Sequence, residues 1–132
     1  MSEYAAGTFV VDLWDAQDPY DEHEGVALGR TVIRKTFSGA LVGTSEVQMT
    51  RVVAGASGSA AYVAFEKVHG TLDGRKGSFV LHHTATATKT AQEAVITVVP
   101  DTGTDELTGL TGTFDIAKNA DGYTYTFSYT LP

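Results

Sequence analysis

The chain contains no cysteine, few basic residues (nine lysines and arginines against sixteen aspartates and glutamates) and no long apolar run. Each shortage removes a class of chemistry. Without cysteine there is no disulfide, no thiolate nucleophile and no zinc–thiolate site. The net charge of −7 disfavours nucleic acid and anionic membrane surfaces, which reward clusters of lysine and arginine. No uninterrupted apolar stretch approaches the roughly 20 residues that a membrane-spanning helix requires. The opening segment, "MSEYAAGTFVVDLWD", has neither a basic n-region nor a long apolar h-region. We therefore expect a soluble cytoplasmic protein with no nucleic-acid or membrane partner.

Helical periodicity is missing as well, which turns attention to what the chain does contain. Fourteen glycines and many β-branched and aromatic residues are laid out as short alternating runs between turn signals. In "YTYTFSYTL", Tyr123, Tyr125, Phe127, Tyr129 and Leu131 alternate with hydroxyl-bearing residues, the pattern of a strand with one buried aromatic face. Similar runs occur in "YAAGTFVVDLW", "GRTVIRKTF", "TSEVQMTRVV", "AAYVAFEKVHG", "SFVLHHTATAT", "EAVITVV" and "LTGLTGTFDIA". The last of these places Leu110, Phe114 and Ile116 on one face. About eight closely spaced strands predict an all-β fold, a single antiparallel up-and-down β-barrel filling one domain over residues 1–132. Closure of such a sheet removes its exposed edges, and an open sandwich is the alternative.

Asp73-Gly74 is a type I′ hairpin signal, which sets Leu72 opposite Arg75, Glu66 opposite Leu81 and Ala64 opposite His83. With Ser57-Gly58 as the preceding turn, Met49 falls opposite Glu66. Val47, Met49, Arg51, Val53, Tyr62, Ala64, Glu66, Val68, Phe79, Leu81 and His83 then share one face. That face is apolar except for Arg51, Glu66 and His83. A carboxylate, an imidazole and a guanidinium inside a barrel are costly unless they satisfy one another or line a cavity. Glu66 and His83, on a diagonal, are candidate catalytic acid and base; Arg51 is a candidate anchor for an anionic group, and Tyr62 joins it as a candidate ligand contact. The plainer reading of the same residues is a buried network that sets register. Between Gly25 and Gly43, Arg30, Arg34 and Lys35 make both faces look mixed, so the inward face is left open there.

Other motifs compete for attention. "WDAQDPYDEHEG" gathers Asp15, Asp18, Asp21, Glu22, His23 and Glu24 without the spacing or glycine of a calcium loop, which predicts a solvated acidic loop and no metal. Trp14, at the start of that loop, is placed to cap one barrel end or to stack on a ligand. No nucleophile elbow or phosphate-cradling glycine loop is found, and no cofactor is indicated. Asp101-Thr102-Gly103 matches the triplet of pepsin-type aspartic peptidases. Such a site needs two aspartates sharing a proton, so this chain would have to supply the second from a symmetric homodimer. As a turn, the segment has its own logic: Pro100 sets φ, Asp101 can bond the backbone two residues on, and Gly103 permits positive φ.

The succession "VAFEKVHGTLDGRKGSFVLHHTATAT", "VVPDTGTDELTGLTGTFDI" and "YTYTFSYTL" resembles a bacterial family of unknown function. The resemblance spans most of the chain and falls on Glu66, Gly70, Gly74, Arg75, Gly77, Ser78, Phe79, His83, Thr102, Gly103, Thr104, Glu106 and Leu107. It departs at Asp105, where the family often has glycine, and Asp101 occupies a variable position. What the resemblance implies is the barrel of the plant allene oxide cyclases, whose relatives include small-molecule cyclases and dirigent-type proteins. The leading expectation is thus a barrel that binds a small, largely apolar molecule, with cyclase- or isomerase-type acid–base chemistry at Glu66 and His83. A non-catalytic binding or interaction module with a packed barrel, and the homodimeric peptidase using Asp101, are the alternatives. Substrate identity, turnover and oligomeric state are left open.

Overall fold

The computed structural model describes residues 2–132, and it is all-β. Its strands are β1 (Ser2–Ala16), β2 (Asp21–His23), β3 (Val26–Gly39), β4 (Leu41–Ala54), β5 (Ser59–Leu72), β6 (Arg75–Ala87), β7 (Gln92–Val98), β8 (Thr111–Asn119) and β9 (Gly122–Thr130). Each long strand pairs antiparallel with its neighbour in sequence, β9 returns to β1, and β1 pairs with β3. That last ladder closes an eight-stranded barrel, and β2 is a short ninth strand lying against the start of β3. Besides turns and loops, the described residues include a single 3-10 turn, Asp105–Leu107.

Alternation follows the barrel wall. Thr31, Ile33, Lys35 and Phe37 of β3 point in, as do Tyr125, Phe127 and Tyr129 of β9. The Asp73-Gly74 turn forms as expected with positive φ at both residues, and Leu72 pairs with Arg75, Glu66 with Leu81 and Ala64 with His83. The β4–β5 connection corrects one expectation. Its turn spans four residues, with Ser57 and Gly58 N–H both donating to the Ala54 carbonyl, so Ala54 pairs with Ser59. Met49 therefore lies opposite Ala64, and Val47 opposite Glu66. Because the offset is an even number of residues, every inward residue keeps its face.

The interior is unevenly filled. One half is a dense aromatic and aliphatic core of Phe37, Leu41, Val68, Leu72, Phe79, Leu81, Phe114, Tyr125, Phe127 and Tyr129, all under 2 % exposed. Ring pairs such as Phe114–Tyr125 and Phe79–Phe127 stack with centroids 5.3 and 5.8 Å apart. Leu107 and Leu110 close this end as a plug, where the sequence suggested a strand already under way from Leu107. Tyr125 hydroxyl donates to the Ser38 carbonyl and accepts from Leu41 N–H at 2.8 Å, fixing the β3–β4 corner across the barrel. The other half holds only a small cluster, Ile33, Val47 and Ala64, flanked by Val11, Met49 and Tyr62. Here the interior is hollow.

Candidate functional site

The hollow is a cavity of about 250 Å³ lined by Phe9, Val11, Trp14, Ile33, Lys35, Val47, Met49, Tyr62, His83, Ile116 and Tyr123. Trp14 reaches its mouth through a bulge. Val11 pairs with Lys35 and Leu13 with Arg34, so one residue of β1 is left over and the face switches. Trp14 then faces Ile33 and sits at the mouth, 59 % exposed.

Beneath the cavity lies Glu66, entirely buried. Its Oε1 receives His83 Nε2 at 2.8 Å and Lys35 Nζ at 3.3 Å, and its Oε2 accepts from Ser45 Oγ at 2.6 Å. Four strands supply one residue each: β3, β4, β5 and β6. Lys35 also lies over the Phe9 ring, 4.6 Å from its centroid. Burial pushes the Glu66 carboxyl up, but the His83 hydrogen bond, the charge of Lys35, that of His83 whenever it is protonated, and the Ser45 bond outweigh it, leaving the group below the usual carboxylate range. Burial, and then the charge of Glu66, raise the Tyr62 phenol.

Glu66 and His83 thus meet on the expected diagonal. Arg51 does not join them. It shares the inward face, but its guanidinium donates to Thr31 Oγ1 at 2.5 Å and to the Gln17 carbonyl at 3.0 Å, tying the chain after β1 to β3 and β4. The cation at the site is Lys35, and with Ser45 it was not singled out from sequence. Ser45 was legible in principle, as it extends the Val47, Met49 alternation by one step. Lys35 required the facing of β3, which the flanking Arg30 and Arg34 obscured. Tyr62 lines the cavity.

Asp101 lies far from this chemistry in kind. It is exposed on the turn after β7, with φ +65. The residues that follow act as a strap along β6: Thr102 Oγ1 donates to the Val99 carbonyl and accepts from Val80 N–H, and Thr104 Oγ1 accepts from Ser78 N–H. Glu106 accepts from Lys76 N–H in the same way. Gly103 is needed for a reason other than positive φ, since a Cβ there would stand 1.9 Å from the Leu107 carbonyl oxygen. Positive φ falls instead on Asp101 and on Asp105, at +51. No group of three or more potential metal ligands occurs among the described residues, and the acidic residues around Asp21 are exposed.

Fold and site together define a closed antiparallel eight-stranded barrel, packed at one end and hollow at the other, with a buried carboxylate under the hollow. The chain belongs to the DUF3224 family, described as proteins of unknown function, whose model matches residues 5–129. It is similar to a crystal structure of a DUF3224 protein of unknown function from Shewanella oneidensis MR-1, with 38 % identity and a TM-score of 0.91 over 100 % of this chain and 98 % of that one. No curated protein matches the chain. No helix among the described residues is long and apolar enough to cross a membrane.

Proposed function

We propose that the open half of the barrel binds a small, largely apolar molecule and that the Glu66–His83 pair moves a proton on it, in the manner of a cyclase or isomerase. The observation that carries this reading is the cavity itself: an apolar wall meeting an imidazole whose far side is held by a buried carboxylate. With Nε2–H donated to Glu66, His83 Nδ1 has no protein partner among the described residues and is left to face the hollow as a base. Glu66 fixes that tautomer and stabilises the imidazolium formed when a proton is taken. Tyr62 and Lys35 stand beside it as donors to an oxygen of the ligand. A cavity of about 250 Å³ lies just under the ~300–1,000 Å³ of drug-sized sites, so the ligand is compact. The barrel that the family resemblance implies, that of the allene oxide cyclases, points the same way, and the net charge of −7 suits a cytoplasmic protein that avoids nucleic acid. The peptidase reading gains nothing from Asp101, whose loop is occupied in holding β6.

Trp14 is the single tryptophan and stands at the cavity mouth, so its emission reports occupancy. Titration with a panel of small terpenoid, alkyl and aryl compounds should shift that emission for at least one class, and Ile116→Phe, which fills the cavity, should abolish the shift. A bound ligand should then exchange a carbon-bound hydrogen with deuterated water, and His83→Gln should stop the exchange while leaving binding. Binding without any exchange would leave a non-catalytic binding module, and no binding at all would remove the ligand reading.

A further inference from the structure

Resting on that reading, we propose that the ligand is an open-chain aliphatic ketone. Its carbonyl lies in the hollow beside His83, and its alkyl tail runs outward along a groove that continues the hollow on the inner face of β5, β6 and β7. The groove holds about 500 Å³, and Tyr62 lines both spaces. Its inward side chains are Ala60, Tyr62, Ala85, Ala87, Gln92 and Ala94; the alternate residues Ala61, Thr86 and Glu93 turn outward and leave backbone as the floor. Tyr62 pairs with Ala85 and Ala85 with Ala94, while further out Ala60 pairs with Ala87 and Ala87 with Gln92. The row next to them on the inner side is Ala64, His83 and Ile96, so the groove begins at the proposed base. Four of the six inward positions are alanine, a residue depleted in strands, and none carries a charge. The result is a smooth apolar trough in place of a packed wall. From His83 to Ala87 it runs four residues, roughly 13 Å at ~3.3 Å per residue, which fits an extended hydrocarbon chain. What the hollow itself holds stays compact: the carbonyl and its neighbouring carbons.

The head follows from the polar groups at the hollow, which are two donors and one base. Lys35 Nζ has one protein acceptor, Glu66, for its three N–H bonds, and the Tyr62 hydroxyl and His83 Nδ1 have no protein partner among the described residues. Glu66 already neutralises Lys35, so the site has no cation to spare for an anionic head, and a neutral acceptor asks for none. A ketone is such an acceptor, and the carbon beside its carbonyl is where a neutral imidazole can take a proton. His83 Nδ1 takes that proton, the C–H electron pair becomes the C=C bond of an enolate, and the carbonyl π pair moves to the oxygen, which accepts from Lys35 Nζ and the Tyr62 hydroxyl. The imidazolium, with Nε2–H still on Glu66, stands against the enolate and then returns the proton to carbon. The proton moves within the site, so the net charge of the buried cluster and its ligand never changes.

The test titrates the protein with hexan-2-one, octan-2-one, decan-2-one and dodecan-2-one, followed by Trp14 emission and, in deuterated water, by loss of the α-hydrogen NMR signals. Affinity should rise roughly two- to fourfold for each added CH₂ until the chain has spanned the groove. The α-hydrogens should exchange faster than in buffer alone, and His83→Gln should stop that gain. Ala87→Leu and Ala94→Leu place a larger side chain in the trough at half-buried and exposed positions. Each should keep hexan-2-one within about twofold of wild type and remove most of the gain with chain length. Affinity that does not grow along the series, or growth that survives both leucine variants, overturns the groove, while hexan-2-one binding would keep the hollow as a site. Growth without exchange overturns the proton step and the acid–base chemistry with it. If no ketone binds while other apolar compounds do, the ketone assignment falls and the cavity reading stands; if nothing binds, both fall.

Discussion

Glu66 carries a carboxylate to a place where water does not reach, and its three partners decide what that does to stability. Removing one member of a buried ionic set leaves the others uncompensated, so Glu66→Gln, which strands Lys35, should cost about 3 kcal/mol near neutral pH. The pH dependence has a definite sign. The folded carboxyl lies below its ordinary value of 4.5, so its contribution is complete above that value and is lost as pH falls through the lowered one. Denaturant midpoints of wild type and Glu66→Gln should therefore differ fully above about 4.5 and converge on further acidification; a gap that persists or widens in acid would show that the charge of Glu66 is not what stabilises the fold. At this scale the sequence was half legible. Glu66 and His83 stood out because they interrupt an apolar face whose register a two-residue turn sets. Lys35 did not, because its strand is polar on both sides and only burial tells them apart, and Arg51 misled because sharing a face does not fix how far along the barrel a side chain works.

The strap from Pro100 to Leu110 shows how an element can mimic a catalytic motif. Where β7 stops pairing, β6 would be left with unsatisfied N–H groups at Ser78 and Val80, and Thr104 and Thr102 supply the acceptors. The strap lies flat only because two positions lack a side chain: a Cβ on Gly77 would stand 2.3 Å from the Thr104 carbonyl oxygen, and one on Gly103 closer still to that of Leu107. Asp105 holds one of the strap's positive-φ positions, a backbone conformation glycine enters freely, which suits the glycine that the family resemblance puts there. The functional and architectural readings of Asp101-Thr102-Gly103 now make opposite predictions. Asp101→Asn keeps an exposed residue tolerant of positive φ and should change stability by less than about 0.5 kcal/mol. Gly103→Ala must push backbone apart and should cost several times as much, about 2 kcal/mol or more, in chemical denaturation. The reverse ranking would sink the strap explanation. Turn chemistry and alternation were readable here and in the Asp73-Gly74 hairpin, whereas the 3-10 plug was not, since three residues are too few to show a period.

Across the whole molecule the two ends of the barrel have been given different tasks by the sizes of their inward residues. Toward the plug, Phe, Tyr and Leu from β3, β5, β6, β8 and β9 meet at the axis and leave no room. Toward Trp14 the inward positions include Ile33, Val47, Met49 and Ala64, which do not fill the space between the larger Phe9, Tyr62 and Tyr123, and β7 and β8 share a single registered pair, Thr97 with Thr113. An eight-stranded barrel is just wide enough that such a choice decides between a core and a cavity. Empty apolar volume forfeits contacts that a larger side chain would make, so a hollow kept at the expense of packing implies stability given up for another purpose. Ile116→Phe tests that directly, because Ile116 faces the hollow from β8 without sealing it. If the volume is spare, the larger ring should fill it and raise stability by about 1 kcal/mol, a melting temperature higher by roughly 3–5 °C for a chain of this length. The same variant should lose any ligand-induced rise in melting temperature seen for the wild type. A destabilised Ile116→Phe would mean that the wall around the hollow cannot yield, and that the space is a by-product of strand geometry with no bearing on binding.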